Sequence, residues 1–320
     1  MPWQLVVLIV VVALLLVALA LTVYCFFHIF YVRNRKPLGA DEYEIPEGEV
    51  YEARREELVA YAKRARALPR EDVSVRSKDG LTLRGYYYHG KDGAPIEILF
   101  HGYRGDGERD LSGGIERSFR LGHNVLIVDH RAGGRSDGNV TTFGIKERFD
   151  CLCWIEFAIE KFGKDVEIII GGVSMGASTV MMAAGEPIPK NVLFGVADCG
   201  FTSPKEIIQK VITEMRLPAK ILYPFVWLSA RLFGGFNLEE CSPLEAVRRA
   251  NIPLVFIHGD TDDFVPFEMS ERLYAACASP KKFQSIEGAG HGLAYPANKE
   301  QYLQALRDFE AECRSNRENA

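Results

Sequence analysis

A chain of 320 residues with 48% hydrophobic and 25% charged residues has a globular composition, not a disordered or collagen-like one. Its net charge of −5 excludes the basic footprint of a nucleic-acid binder, so no nucleic acid is expected as a partner. The charge is unevenly spread: all 38 basic and 43 acidic residues lie outside the stretch from Trp3 to Val32, which leaves about 285 residues to fold in water.

In chain order, the run from Gln4 to Phe27 exceeds the roughly 20 residues that a helix needs to cross a bilayer. Trp3 and Tyr31 stand near its ends, where amphipathic rings favour the headgroup level, and Arg33, Arg35 and Lys36 follow at once. A cleaved signal peptide fits poorly, because a basic n-region is lacking and the apolar core is too long. The expectation is a single-pass anchor over residues 1–36, with the bilayer as a partner. The positive-inside rule then puts the rest of the chain in the cytoplasm. Residues 37–70 read as a charged connector to the rest of the chain. Within it, Glu49 to Leu68 reads as one surface helix, packed loosely and ended by Pro69.

From residue 71 to 320 the pattern is that of one α/β domain. Val73–Arg76 and Leu81–Tyr88 flank Lys78-Asp79-Gly80 as a hairpin. Apolar runs then follow at 96–100, 124–128, 166–170, 192–197, 254–257 and 282–286. Helical stretches separate them near 108–121, 145–162, 176–185, 268–278 and 297–313. Short Val/Ile/Leu runs alternating with helices predict a mostly parallel twisted sheet covered on both faces. The aromatic-rich stretch 202–243 departs from this alternation and reads as a helical cap over the carboxyl ends of the strands, where ligands bind in open α/β sheets. Its Leu217, Ile221, Tyr223, Val226, Leu232, Phe233 and Phe236 are among the candidates for the apolar wall of such a ligand site. The cysteines show no CxxC spacing and no adjacent histidines, so no metal, cofactor or disulfide framework is expected. Reduced thiols suit a cytoplasmic domain.

The chemistry centres on Gly172-Val173-Ser174-Met175-Gly176, a G-x-S-x-G between a predicted strand and a predicted helix. A sharp strand-to-helix turn of this kind holds the serine strained and exposed, and its glycines, Gly172 and Gly176, leave room for the turn. The serine needs a base. His291, in the flexible Gly288-Ala289-Gly290-His291-Gly292 loop after the last strand, is the candidate among the seven histidines; the others read as structural. An acid must fix its tautomer, and position alone leaves Asp260, Asp262 and Asp263 open. Oxyanion donors are expected from the backbone N–H of Met175 and, in His101-Gly102-Tyr103-Arg104-Gly105, of Tyr103.

These residues, in the order serine, acid, histidine, resemble the α/β-hydrolase superfamily over roughly Val73 to Cys313. Asp129-His130-Arg131-Ala132-Gly133-Gly134-Arg135-Ser136 is similar to its D-x-R-G-x-G-x-S loop, with Ala132 in place of a glycine. The family's H-G-x-x-D-x-x-V-P pattern falls on His258, Gly259, Asp262, Val265 and Pro266, and so selects Asp262 as the acid. The set resembles membrane-anchored bacterial hydrolases of serine aminopeptidase-like or prolyl-oligopeptidase-like type. The resemblance implies a serine hydrolase with an acyl-enzyme intermediate. The cap and the anchor point to an apolar or lipid-derived ester as substrate. A peptidase acting on short peptides, an acyltransferase and a non-catalytic hydrolase-fold protein are the alternatives. The oligomeric state is left open.

Overall fold

The computed structural model describes residues 1–33, 39 and 41–319; Arg35 and Lys36 of the basic flank lie outside the described residues. Helix α1 (Trp3–Cys25) runs on into a π-helical turn (Phe26–Phe30). Residues 3–17 are exposed along their whole length, but Thr22, Cys25, Phe26 and Phe30 are buried against the rest of the protein. The end of this apolar segment therefore docks directly on the globular body and does not merely trail from it on the connector.

The connector also differs from its expectation. Two helices, α2 (Glu49–Glu52) and α3 (Arg55–Ala67), replace the single one, with Arg54 leaving helical geometry between them. The packing of α3 is close: Tyr61, Ala62 and Ala65 are buried, because a Tyr and two Ala at helical spacing form a narrow face that fits tightly.

The α/β core follows as β1 (Glu71–Arg76), β2 (Thr82–Tyr88), β3 (Ile96–Phe100), α4 (Gly107–Leu121), β4 (Asn124–Val128), α5 (Glu147–Phe162), β5 (Ile168–Val173), α6 (Met175–Ala184) and β6 (Val192–Asp198). Between β6 and the next strand come α7 (Pro204–Glu214), α8 (Ala219–Ser229), a second π-helical turn (Ala230–Gly234) and α9 (Pro243–Val247). The chain closes with β7 (Leu254–Gly259), α10 (Phe267–Ala276), β8 (Lys281–Ile286), α11 (Ala294–Ala297) and α12 (Lys299–Glu318).

The eight strands form one sheet in the order β1-β2-β4-β3-β5-β6-β7-β8. The β1–β2 hairpin joins β4 antiparallel at one edge, and every other pairing is parallel. Strands β3, β4, β6 and β7 are buried at every position, which explains their unbroken apolar runs. Ile98, Ile170 and Phe256 pack with Trp154 of α5 and Leu273 of α10 on one face. On the other face, Leu99 and Ile127 meet Ile115 of α4, and Ile169 and Val255 meet Phe309 of α12. A further apolar cluster joins Ile207, Tyr223 and Val226 of the α7–α8 segment to Phe26 and Phe30, and to Phe143 and Met175 beside the strand ends.

Candidate active site

The carboxyl ends of β3, β5, β7 and β8 converge on one place, and each contributes one piece. At the end of β5, Ser174 takes φ 56° and ψ −115°, a conformation that L-residues avoid and that marks a stored constraint. Only glycine fits on either side of it. A Cβ on Gly172 would lie 2.6 Å from the Ala177 nitrogen, and one on Gly176 would lie 2.8 Å from the His101 carbonyl oxygen. The amide of Ser174 donates to the Asp198 carbonyl at 2.8 Å, which ties the turn to β6.

His291 lies with Nε2 2.9 Å from Ser174 Oγ and Nδ1 2.7 Å from Asp262 Oδ2. Asp262 is buried, and its other oxygen, Oδ1, accepts from the amides of Phe264 and Val265. Burial alone would raise its pKa, but hydrogen bonds from His258 and His291 hold the carboxyl well below the usual range. The group is thus a fixed anion beside the imidazole. A hydroxyl, an imidazole and a carboxylate so aligned can pass the serine proton to Nε2 while Asp262 holds the Nδ1–H tautomer. The other two aspartates of the stretch do not join the chain; Asp260 accepts from the Gly288 amide.

Met175 opens α6, so its amide lacks a carbonyl partner within the helix, and the Tyr103 amide meets no protein acceptor among the described residues. The Tyr103 loop is held from both sides. From within, Asp110 accepts the Gly102 amide at 3.0 Å. From without, the Tyr103 hydroxyl donates to the Ile29 carbonyl at 2.5 Å, and Arg104 donates to the carbonyls of His28 and Tyr31. Cys199, Asp262 and His291 offer ligand atoms within 4.8 Å of one another, but those of Asp262 and His291 are bonded to each other.

A comparison with known sequences matches residues 122–317 to the prolyl oligopeptidase family. The chain belongs to the prolyl oligopeptidase family. It is a serine hydrolase of the α/β-hydrolase fold. It is similar to the YqkD protein of Bacillus subtilis, 31% identical over 236 residues that cover 73% of this chain and 77% of that one. It is also similar to the bem46 protein of Schizosaccharomyces pombe, 26% identical over 250 residues, with 76% and 77% covered. Among solved structures, an esterase of Pyrococcus furiosus superposes with a TM-score of 0.64 at 23% identity, covering 89% of this chain and 98% of that one, which shows a shared fold.

Within this prolyl oligopeptidase-family chain, two contributors escaped the sequence reading. His258, read as merely structural, places Nε2 3.0 Å from Asp262 Oδ2 and Nδ1 2.5 Å from Ser270 Oγ, so two imidazoles grip one carboxylate oxygen. Its position four residues before Asp262 was the available signal. Helix α2 is the other: Val50 lies 3.9 Å from where a Cβ on Gly290 would stand, which puts the connector beside the His291 loop. The expected apolar wall of the cap divides in two: Tyr223, Val226 and Phe236 are buried, whereas Leu217, Ile221, Leu232 and Phe233 face outward.

Proposed function

We propose that this serine hydrolase cleaves carboxylic esters with apolar acyl groups, and that α1 anchors it in a membrane with the catalytic domain on the cytoplasmic side. Ser174 is the nucleophile, His291 the general base and Asp262 the orienting acid. As Ser174 Oγ attacks the acyl carbon, its proton passes to His291 Nε2, and the imidazolium is stabilised by Asp262. Charge developing on the carbonyl oxygen is met by the Met175 and Tyr103 amides. Where measured, losing one such donor lowers the rate by about 10²–10³. His291 then protonates the leaving alcohol, and the same imidazole activates the water that frees the acid.

The observation that carries this reading is the unbroken hydrogen-bonded chain Ser174–His291–Asp262 next to two amides without protein partners. An apolar acyl group is supported by the lining around Met175, where Tyr103, Phe143 and Phe201 cluster. A span of 23 residues without charge supports anchoring, and exposed Arg33 at its end supports the orientation. The helices between β6 and β7 act as the cap in this reading.

The test is a p-nitrophenyl ester series from acetyl to decanoyl, run beside aminoacyl anilides. Each buried CH₂ contributes about 0.8 kcal/mol, so kcat/KM should climb by about fourfold per CH₂ until the pocket is full. Faster cleavage of the anilides than of every ester would replace the ester by a peptide amide, the second reading that the family favours. Ser174→Ala should abolish either activity, and unchanged turnover in that variant would sink the mechanism.

A further inference from the structure

The α7–α8 segment breaks the rule that a surface helix is apolar on one face only. On its inner face α8 buries Tyr223 and Val226. On its outer face it carries Ile221, Pro224 and Leu228, and the stripe extends to Leu217 before the helix and to Leu232 and Phe233 after it. Ile221 is 65% exposed and Leu232 60%. The same helix packs against the last turns of α1, and Phe26 meets Phe233 with ring centroids 5.6 Å apart. From Met215 to Leu238 the chain has no Asp or Glu, and its three cations, Arg216, Lys220 and Arg231, are all exposed. Arg231 lies over the Trp227 ring, the pairing of cation and amphipathic ring found at headgroup level.

Length decides what covers this face. The free part of α1, residues 3–17, is about 22 Å long at 1.5 Å per residue. A bilayer's hydrocarbon core is about 30 Å thick. The deficit of about 8 Å has to come from the turns of α1 that lie along α8, and interfacial helices sit about 5–10 Å deep. We infer that α8 and the π-helical turn after it lie in the headgroup–acyl boundary of the bilayer crossed by α1, with Leu217, Ile221, Leu228, Leu232 and Phe233 in lipid. The inference rests on the reading of α1 as a membrane span. It makes the membrane contact a second, in-plane surface of the enzyme, fixed to the site through the bonds from Tyr103 and Arg104 to the π-helical turn that continues α1. The exposed cations and the lack of acidic groups suit anionic headgroups.

The seven native cysteines are buried, so a nitroxide can be placed selectively on the full-length protein in nanodiscs of phosphatidylcholine and phosphatidylglycerol. Labels go on Ile221→Cys, Leu228→Cys, Val10→Cys in α1, and Asp92→Cys, an exposed position on the loop before β3. Oxygen, which concentrates in lipid, and a nickel chelate, which stays in water, compete to relax the label. The Ile221 and Leu228 labels should favour oxygen several-fold over the Asp92 label, though less than the Val10 label does. Water-like values at Ile221 and Leu228 beside a lipid-like value at Val10 would overturn the inference and leave the anchor standing. A water-like value at Val10 would remove both. As a second readout, Ile221→Asp/Leu232→Asp should keep its rate on a soluble short ester. It should lose tenfold or more on a long-chain ester dissolved in the same lipid, and an equal rate on both would count against the inference.

Discussion

Two clusters of buried polar side chains use nearly the same residue types and do different work. At the strand ends stand Ser174, His291, Asp262 and His258. Under α4 and α12, Glu97 of β3 is bound by Arg117, by Ser118 at 2.5 Å and by His123, whose other nitrogen lies 3.0 Å from Glu310. Arg117 also reaches the Tyr302 hydroxyl, which donates to Asp198 at 2.9 Å. Asp198 is where the two clusters meet, because its carbonyl accepts the Ser174 amide. The sealed set surrounds Glu97 with donors on every side, and a charge so enclosed can only hold structure. The strand-end set ends in a hydroxyl on a strained backbone and two amides without protein partners among the described residues, the arrangement that the proposed reaction needs. Identity of residues does not separate a site from a brace; unmet hydrogen-bonding capacity at an opening does.

The largest effect that tests this contrast is on rate. Asp262→Asn keeps an acceptor for the Phe264 and Val265 amides but no longer holds the His291 Nδ1–H tautomer. Turnover of a short ester should fall by about 10⁴, with the folded content by circular dichroism unchanged. In the sealed cluster the loss should appear in stability. Glu97→Gln leaves the Arg117 guanidinium buried without its counter-charge, which costs about 3–5 kcal/mol in denaturant unfolding. The turnover of the protein that stays folded should remain within a few-fold of wild type. If Glu97→Gln lost rate as steeply as Asp262→Asn, the division between the clusters would be false.

The histidines sharpen the contrast with pH. Burial alone would lower the His123 pKa, but the Glu310 and Glu97 carboxylates outweigh it and hold the imidazole at about 9, above its ordinary 6.5. The folded state therefore binds this proton more tightly than the unfolded chain. That stabilisation is fully present below pH 6.5 and is lost as the pH rises through about 9. Urea midpoints at pH 6 and pH 9.5 should show a fall at the higher pH in wild type and a smaller one in His123→Asn. A fall of the same size in both would assign the alkaline limb to another group.

Most of the sheet was legible, because fully buried parallel strands write themselves as short apolar runs, and boundaries moved by only a few residues. The elbow was equally plain, since its glycines answer to backbone crowding within one turn. The choice of Asp262 over its neighbours needed the family pattern, because three aspartates in four positions offer the same chemistry and only the fold turns one of them inward. What the sequence concealed was contact between distant segments. Nothing local says that His258 grips the same oxygen as His291, or that the π-helical turn after α1 bonds to the Tyr103 loop. The aromatic run Phe26-Phe27-His28-Ile29-Phe30-Tyr31 was the missed signal, because Phe26 and Phe30 are buried against the globular body. The stripe on α8 failed for the opposite reason: its residues were rightly seen as an apolar set, but a one-dimensional pattern cannot say which side of a helix faces the pocket.

The smallest effect concerns the loop after β4, which holds the start of α4. Asp129 at the end of β4 accepts from the Gly107 amide at 2.9 Å and from the Arg135 amide at 3.0 Å, and so fixes the start of α4 just beyond the Tyr103 turn. Within this loop Ala132 sits at φ 59°, in the left-handed region where the related pattern carries glycine. A Cβ in that region costs about 1–2 kcal/mol, part of which is offset by the greater freedom of glycine in the unfolded chain. Ala132→Gly should therefore raise stability by about 1 kcal/mol at most, read as a higher urea midpoint, and leave kcat/KM unchanged. Its neighbour behaves oppositely. A Cβ on Gly134 would collide with all three atoms of the Asp129 carboxylate, so Gly134→Ala should displace Asp129 and loosen α4. If Ala132→Gly instead lowered stability, the alanine methyl would have to contribute contacts that outweigh its strained backbone, and the tolerance of the altered motif would rest on packing.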